Sequence, residues 1–404
     1  MSKPLVFFIF SLFYCSAVSG QELCNNVFSI DGIKIDSTWD DLGFLDKEIK
    51  DKRVVMLGEA HHGDGTAIEL KARIIAYLHQ NLDFDVVVFE SDFFSLMAYS
   101  DSLKNGTADF SSIEANIHKV WRRSKQIEPT LAYLRQHPEL TVAGFDCTGN
   151  SRFLRESLEK ELDQCLPGET ATDDYKKLRA FAVDFETKGF DFKINKKDKV
   201  WLYAYLHELK KKIQPKSEMW AQVVHSYIGE WKTTLEYRKG LKGGLNNNIR
   251  DTYMADNLLY LLQEHYPDKK VIVWAANLHV AKNPEAITEN RHFKSDEIVL
   301  MGDLVDKAMP DESAHLAIIS YSGEYAWPLD KTTHPIPVPP ADALESQIKA
   351  CGHPFAYYSL SNITSSEPFP SKMMVHFPWE ARWQEVFDGV FYIEKMKRSD
   401  RNED

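Results

Sequence analysis

Val54-Val55-Met56-Leu57-Gly58-Glu59-Ala60-His61-His62-Gly63 decides the fold. The apolar half reads as a buried strand, and it empties at once into a glutamate, two histidines and two glycines. An α/β protein offers its side chains to ligands at the C-terminal ends of its strands. A carboxylate three residues before an imidazole, at such an end, has the makings of a general base with an orienting partner.

The pattern recurs along the chain. Arg53–Leu57 is the first predicted strand, and Asp85–Glu90 is a second that ends in Glu90. Leu140–Asp146 is a third, ending in Asp146, and Lys270–Ala275 a fourth, running into Asn277 and His279. Glu297–Met301, His315–Ser320 and Gly389–Ile393 read as further strands, with Pro335–Pro340 a proline-rich connection. Helices alternate with them. Thr66–Gln80 places Ile68, Ala72, Ile75 and Leu78 along one face, and Pro129–Gln136 is shorter. The predicted fold class is α/β, a mostly parallel central sheet flanked by helices. Parallel strands end at one edge, so residues 59, 62, 90, 146, 277 and 279 are expected to converge there.

From Ser151 to about Ile249 the strand signal disappears. Charged helical segments replace it at Arg152–Gln164, Asp174–Lys188, Lys197–Gln214 and Glu218–Lys239, before another helix at Arg250–Glu264. This is read as a large inserted helical cap over one edge of the sheet. Trp201, Tyr203, Trp220 and Trp231 are candidate walls of an apolar groove beneath it, with cap-to-sheet packing the stronger reading.

The chain has 404 residues, 44% hydrophobic and 27% charged, which suits a soluble globular protein. A formal net charge of −12 argues against a nucleic-acid partner, which needs a basic face. Residues 1–20 have the form of a signal peptide: Lys3, an apolar run from Leu5 to Tyr14, then small residues up to Gly20. That run is too short to stay in a bilayer, so an exported mature chain, periplasmic or secreted, without a transmembrane segment is expected. Residues 21–404 would then form the α/β domain with the insertion at about 151–249. Export permits disulfides, and Cys24, Cys147, Cys165 and Cys351 leave three full pairings open. No CxxC or CxxH spacing suggests a thiolate zinc site.

Of the adjacent histidines, His62 is the better base, with Glu59 behind it and Gly63 allowing a ligand close; His61 would sit beside the substrate. Lys71 lies near the start of the following helix, and Glu69 and Arg73 have the spacing of a helix-surface ion pair. Each remaining group has a bland reading: Asp146 caps a turn, Asn277 ties a loop, His279 is structural. There is no Gly-x-Ser-x-Gly elbow, Walker loop or dinucleotide fingerprint. Two chemistries stay open: water activated by an imidazole, or a divalent metal held by Glu59, His62, Glu90 and His279.

Gly58–Gly63, continued by Glu69-Leu70-Lys71 and Phe89-Glu90, resembles the signature of the erythromycin esterase family. Trp121 and Glu128, Gly144-Phe145-Asp146, Arg250-Asp251 with Tyr253–Asn257, Trp274–His279, Met301-Gly302 and Phe387-Asp388 continue the likeness in order. It spans about residues 40 to 395. The resemblance implies a hydrolase that opens a macrolide lactone, with a histidine base and no covalent acyl-enzyme. The base falls on His62, its carboxylates on Glu59 and Glu90, the basic helix residue on Lys71, and the second late histidine on His279. The first late histidine falls on Ala276, a departure that bears on macrolide specificity.

The expected catalytic set is therefore His62, Glu59, Glu90, His279 and Lys71, with Lys71 or a backbone donor stabilising the oxyanion. His61, Asp146, Arg250 and Asn277 would line the substrate, a small-molecule ester or lactone, with no resident cofactor. The rivals are the metal-dependent hydrolase and a non-catalytic binder of haem or a macrocycle.

Overall fold

The computed structural model describes residues 20–149, 151–237, 244–289, 294, 297–327 and 332–402. The expected signal peptide, but for Gly20, lies outside them. The described strands are β1 (Val27–Ser29), β2 (Val54–Leu57), β3 (Phe84–Asp92), β4 (Thr141–Asp146), β5 (Lys270–Trp274), β6 (Ser313–Ala326), β7 (Thr333–Ile336), β8 (Phe355–Ser359), β9 (Phe369–Ser371), β10 (Trp379–Ala381) and β11 (Gly389–Met396). One sheet runs β1-β8-β11-β6-β2-β5-β3-β4, with β7 added to β6, while β9 and β10 pair separately. The six strands from β11 to β4 are parallel. The antiparallel pairs are at the margin: β1 with β8, β8 with β11, and β7 with β6.

The apolar strands need no alternation because helices or chain segments cover both faces of the sheet. Val54 and Met56 enter one core with Val86, Val88, Val271 and Val273. Val55 and Leu57 enter the other with Val87, Phe89, Ile272 and Trp274. The register Val54↔Val271 to Leu57↔Trp274 seats β5 between β2 and β3. The strand ends singled out in the sequence thus lie on four neighbouring strands, β2-β5-β3-β4.

Three expectations are corrected. The helix after β2, Gly65–Leu82, is buried almost all round rather than along one face. Arg73 on it does not pair with Glu69; it is fully buried and bonds Asp41 at 2.6 and 3.0 Å, with the carbonyls of Gly32 and Thr38 also accepting. The segment before β2 folds over that side of the helix and supplies these acceptors. Glu297–Met301 is not a strand: Met301 opens the helix Met301–Ala308, its N–H donating to Asp251 Oδ2 at 3.1 Å. A short apolar run carries too little periodicity to separate the two outcomes.

The inserted block contains helices Ser151–Cys165, Asp173–Lys188, Lys196–Ile213 and Glu218–Tyr237. It packs against the helices Phe93–Lys104 and Gly244–Tyr260 beside β4. Its aromatics are packing residues. Trp220 meets Phe94 at 5.0 Å, Trp231 meets Phe185 at 5.1 Å, and Trp201 stacks on Tyr205 at 5.6 Å. Tyr203 lies beneath Lys232. Cys24 is bonded to Cys351, while Cys147 and Cys165 are free. No described helix is long and apolar enough to cross a membrane.

Candidate functional site

Glu59 leaves β2 directly into a crowded turn. Gly58 must be glycine: a Cβ there would lie 2.0 Å from Asn277 Oδ1 and 2.9 Å from its Cα. Gly63 is held just as closely, but by the Ala326 carbonyl at 2.0 Å from a notional Cβ. It therefore admits the end of β6 and not a ligand.

The fully buried Glu59 carboxylate has three donors around it. His62 Nδ1 lies 2.8 Å from Oε1, Trp121 Nε1 lies 3.3 Å from the same oxygen, and Lys71 Nζ bonds Oε2. Lys71 also donates to the Ala275 carbonyl at 3.0 Å. Burial lowers the Lys71 pKa, and the charge of Glu59 opposes that shift. Lys71 is wholly enclosed, behind the carboxylate rather than at the open face. An ionised Glu59 accepting Nδ1–H leaves the Nε2 lone pair of His62 as the basic atom. The His62 ring stands between Trp121, at 5.0 Å, and Trp327, at 5.7 Å, with its side chain 18% exposed.

Next along the edge is a second cluster. Arg250 Nη2 lies 2.7 Å from Glu90 Oε1 and 2.7 Å from Asp146 Oδ2. His279 Nε2 is 3.4 Å from Glu90 Oε1 and 3.2 Å from Arg250 Nη1, and its Nδ1 is 2.8 Å from Asp251 Oδ1. Burial pulls the His279 pKa down, but the Asp251 and Glu90 carboxylates outweigh it and raise the value to about 9. Burial pushes Glu90 upward, and His279, Arg250 and His62 overcome it, so its pKa falls well below the usual carboxylate range. These shifts favour the charged forms of His279 and Glu90 at neutral pH.

The two clusters share the turn after β5. Its Ala276 N–H donates to Glu90 Oε2 at 3.2 Å, and its Asn277 N–H donates to the Glu59 carbonyl at 2.7 Å. Glu59 touches His62, and Glu90 touches His279, but the four do not close into one direct network. Asn277 is fully buried, and its amide donates to the carbonyls of Ile318 and Met373. It joins backbone segments and does not face a substrate. Asp146 is buried and pairs with Arg250, whose side chain is 22% exposed. His61 is half-buried against Tyr325 at 4.4 Å, its Nδ1 accepting the Gly63 N–H at 2.9 Å. Burial drives its pKa down to about 4, so the ring is neutral.

Sequence reasoning assigned no chemistry to Trp121, Asp251 or His118. Trp121 and Asp251 lay within the family-like motifs, but nothing in their spacing named a partner. His118 caps the helix Lys119–Arg122, and its backbone N–H donates to the Ser91 hydroxyl oxygen at 2.9 Å. Burial lowers its pKa against the pull of Asp146 and Glu90, which places it beside this same cluster.

The donor set also bears on a divalent metal. Among the described residues, Glu59, His62, Glu90 and His279 do not bring three ligand atoms together. The Arg250 guanidinium already takes the place between Glu90 and Asp146 and pairs with both carboxylates. These residues do not fit the metal reading.

A parallel α/β sheet with a carboxylate-backed imidazole at its C-terminal edge defines an enzyme-like class of protein. A family profile described as erythromycin esterase matches residues 79–401, and the chain belongs to the erythromycin esterase family. A putative hydrolase of Bacillus subtilis, YbfO, is 26% identical, covering 89% of this chain and 87% of its own. The erythromycin esterase type II of Escherichia coli is 24% identical, covering 90% and 94%. A solved erythromycin esterase in its open conformation superposes with a TM-score of 0.70 at 17% identity, covering 91% of this chain and 97% of that one. A succinoglycan biosynthesis protein superposes at 0.76 with 16% identity, covering 94% and 97%. At these identities the two structures show a shared fold.

Proposed function

We propose that the protein is an exported hydrolase of a carboxylic ester or macrolide lactone, working through His62 as general base. The observation that carries this reading is the 2.8 Å contact between His62 Nδ1 and Glu59 Oε1. Glu59, which accepts hydrogen bonds from Lys71 and Trp121, fixes the imidazole tautomer. His62 Nε2 takes a proton from water, and the hydroxide adds to the ester carbonyl. His279, cationic beside Glu90, stabilises the oxyanion or returns a proton to the leaving alkoxide. Lys71, enclosed behind Glu59, serves the carboxylate instead of the oxyanion. Arg250 and Asp146 set the position of Glu90, with no metal involved.

Family membership, the named hydrolase relatives and the pairing of polar groups at one edge support this reading. The form of residues 1–20 and the Cys24–Cys351 bridge support export. Ala276, where the family resemblance calls for histidine, favours an ester other than a macrolide lactone.

The test is a panel of macrolides and simpler carboxylic esters, read by a mass gain of one water. Turnover of at least one substrate, abolished in His62→Asn with the fold retained, is expected. Undiminished turnover in His62→Asn would remove the base from this scheme. Tight haem binding without turnover of any ester would favour the binding-protein alternative.

A further inference from the structure

Helix Gly65–Leu82 carries Lys71 near its start and His79 in its last turn, about 12 Å further along the axis. There His79 meets His137 and Glu139, and the sheet-edge chemistry uses none of the three. Each offers one ligand atom, and these atoms lie within 4.8 Å of one another. His137 Nδ1 is 2.8 Å from Glu139 Oε1, and His79 Nε2 is 3.7 Å from that oxygen. The imidazole centroids are 5.2 Å apart, with the rings at 73°.

Both imidazoles are held in place from behind. His79 Nδ1 lies 2.8 Å from the Tyr133 hydroxyl, which accepts the Gln80 amide at 3.1 Å. A hydroxyl oxygen has a second lone pair, which can take Nδ1–H and leave His79 Nε2 as an acceptor. That lone pair then faces a carboxylate oxygen across 3.7 Å. In that tautomer a cation between the two acceptors satisfies both, where the other tautomer would place only the ring's own proton. His137 closes the helix Glu128–Gln136, its N–H donating to the Tyr133 carbonyl at 3.0 Å and its ring 4.2 Å from that of Tyr133. Pro138 stiffens the link to Glu139.

The dimensions suit a small divalent ion. Zinc binds imidazole nitrogen and carboxylate oxygen at about 2.0–2.2 Å, which puts tetrahedral ligand atoms about 3.3 Å apart. The observed separations of 2.8 and 3.7 Å bracket that spacing. Two imidazoles with one carboxylate favour zinc or its neighbours over magnesium or calcium. A ligating histidine usually donates its far N–H to an acceptor, and the Tyr133 hydroxyl stands in that place for His79. The Glu139 side chain is 59% exposed, so an ion can enter from solvent.

We propose that His79, His137 and Glu139 bind one zinc-class divalent ion, water completing its coordination, which clamps helix Gly65–Leu82 to the turn before β4. This site is independent of the ester-hydrolase reading. The rival is a plain hydrogen-bond cluster with no affinity for metal.

The test uses the tag-free mature chain, stripped with chelator and titrated with zinc against a chromogenic competitor, with thermal melting in parallel. One equivalent of zinc is expected, with a rise in melting temperature. Both effects should vanish in His79→Ala and His137→Ala. Glu139→Ala, at an exposed position that the fold does not need, should also lose them. Tyr133→Phe should weaken binding about tenfold, through loss of the orienting contact. His62→Asn should bind zinc as the parent does. Absence of saturable binding, or binding that survives Glu139→Ala but is lost in His62→Asn, overturns the proposal.

Discussion

Lys71 Nζ bonds Glu59 Oε2 with both side chains wholly out of contact with solvent. Removing one member of such a pair strands the other charge, at a cost of about 3–5 kcal/mol. Glu59→Gln and Lys71→Met are each expected to lower the unfolding free energy by that order. The double variant should recover most of the loss, because no buried charge is left unpaired, yet remain inactive. Urea unfolding of the four proteins checks this. Additive losses in the double variant would mean that the two side chains are not energetically coupled.

His279 links stability to alkaline pH. Its folded pKa of about 9 stands above an unfolded value of about 6.5. Its contribution is therefore fully present below about pH 6.5 and is lost as the pH rises through about 9. The Glu90 and Asp251 carboxylates and the Arg250 guanidinium are the charges that face it. His279→Gln should flatten the stability profile across that window. If the imidazolium serves the leaving group, the rate of ester cleavage also falls on the alkaline side near pH 9, and the variant loses that limb. A variant profile parallel to the parent's from pH 6 to 10 would rule out the linkage.

Arg250 should show the opposite sign. Glu90 has a depressed folded pKa, so its stabilisation is present above the unfolded value of about 4.3 and is lost as the pH falls below it. Arg250→Met leaves the Glu90 and Asp146 carboxylates buried without their shared cation. A loss of about 3–5 kcal/mol at neutral pH is expected, shrinking in acid as the carboxylates take up protons. Equilibrium unfolding at pH 7 and pH 4 measures both numbers. A deficit that widens in acid would contradict the assignment.

The strands and the chemistry at their ends were legible because buried parallel strands leave continuous apolar runs that stop at a polar residue. Val54–Leu57, Val86–Phe89 and Lys270–Trp274 all show it, and the fold class follows. What those runs do not encode is the sheet order, so the sequence could place Glu59, Glu90, Asp146 and His279 on one edge but could not pair them. The partners came from tertiary packing: Trp121 on Glu59, Asp251 on His279, and Arg250 between two acids. Residue type misled in three places. Lys71 looked like a donor to substrate, Arg73 like a surface charge, and Asn277 like a ligand contact; all three are buried because other chain segments fold over them. The short run before Met301 failed for a different reason, since its apolar residues suit a strand or a helix approach equally.

The bridge between Cys24 and Cys351 spans a sequence separation of 327 residues. Cross-linking so long a loop restricts the unfolded chain, an effect typically worth 2–4 kcal/mol. Reduction, or Cys24→Ser with Cys351→Ser, should lower the melting temperature by a few degrees with activity at room temperature kept. The denatured, unreduced mature chain, residues 21–404, should show two reactive thiols, Cys147 and Cys165. In the native state Cys165, half-buried, should react before the buried Cys147, whose thiol pKa is pushed up by desolvation. Four free thiols in oxidised protein would disprove the pairing.

Gly58 is the position at which the base-bearing turn and the turn after β5 depend on each other. A methyl group there would press on the Asn277 side chain, and on its Cα, which cannot move without shifting the loop that carries His279. Overpacking of this kind typically costs 1–3 kcal/mol, occasionally more. Gly58→Ala is expected to lose that much stability, and to lose ester cleavage by more than the stability loss explains, because Glu59 and His279 are displaced together. Asn277→Ala in the same chain relieves the Oδ1 clash but not the one with the backbone. It should therefore restore little. Activity rates on folded protein, set against the unfolding free energies, separate the two effects, and full rescue by Asn277→Ala would show that the side chain alone sets the spacing.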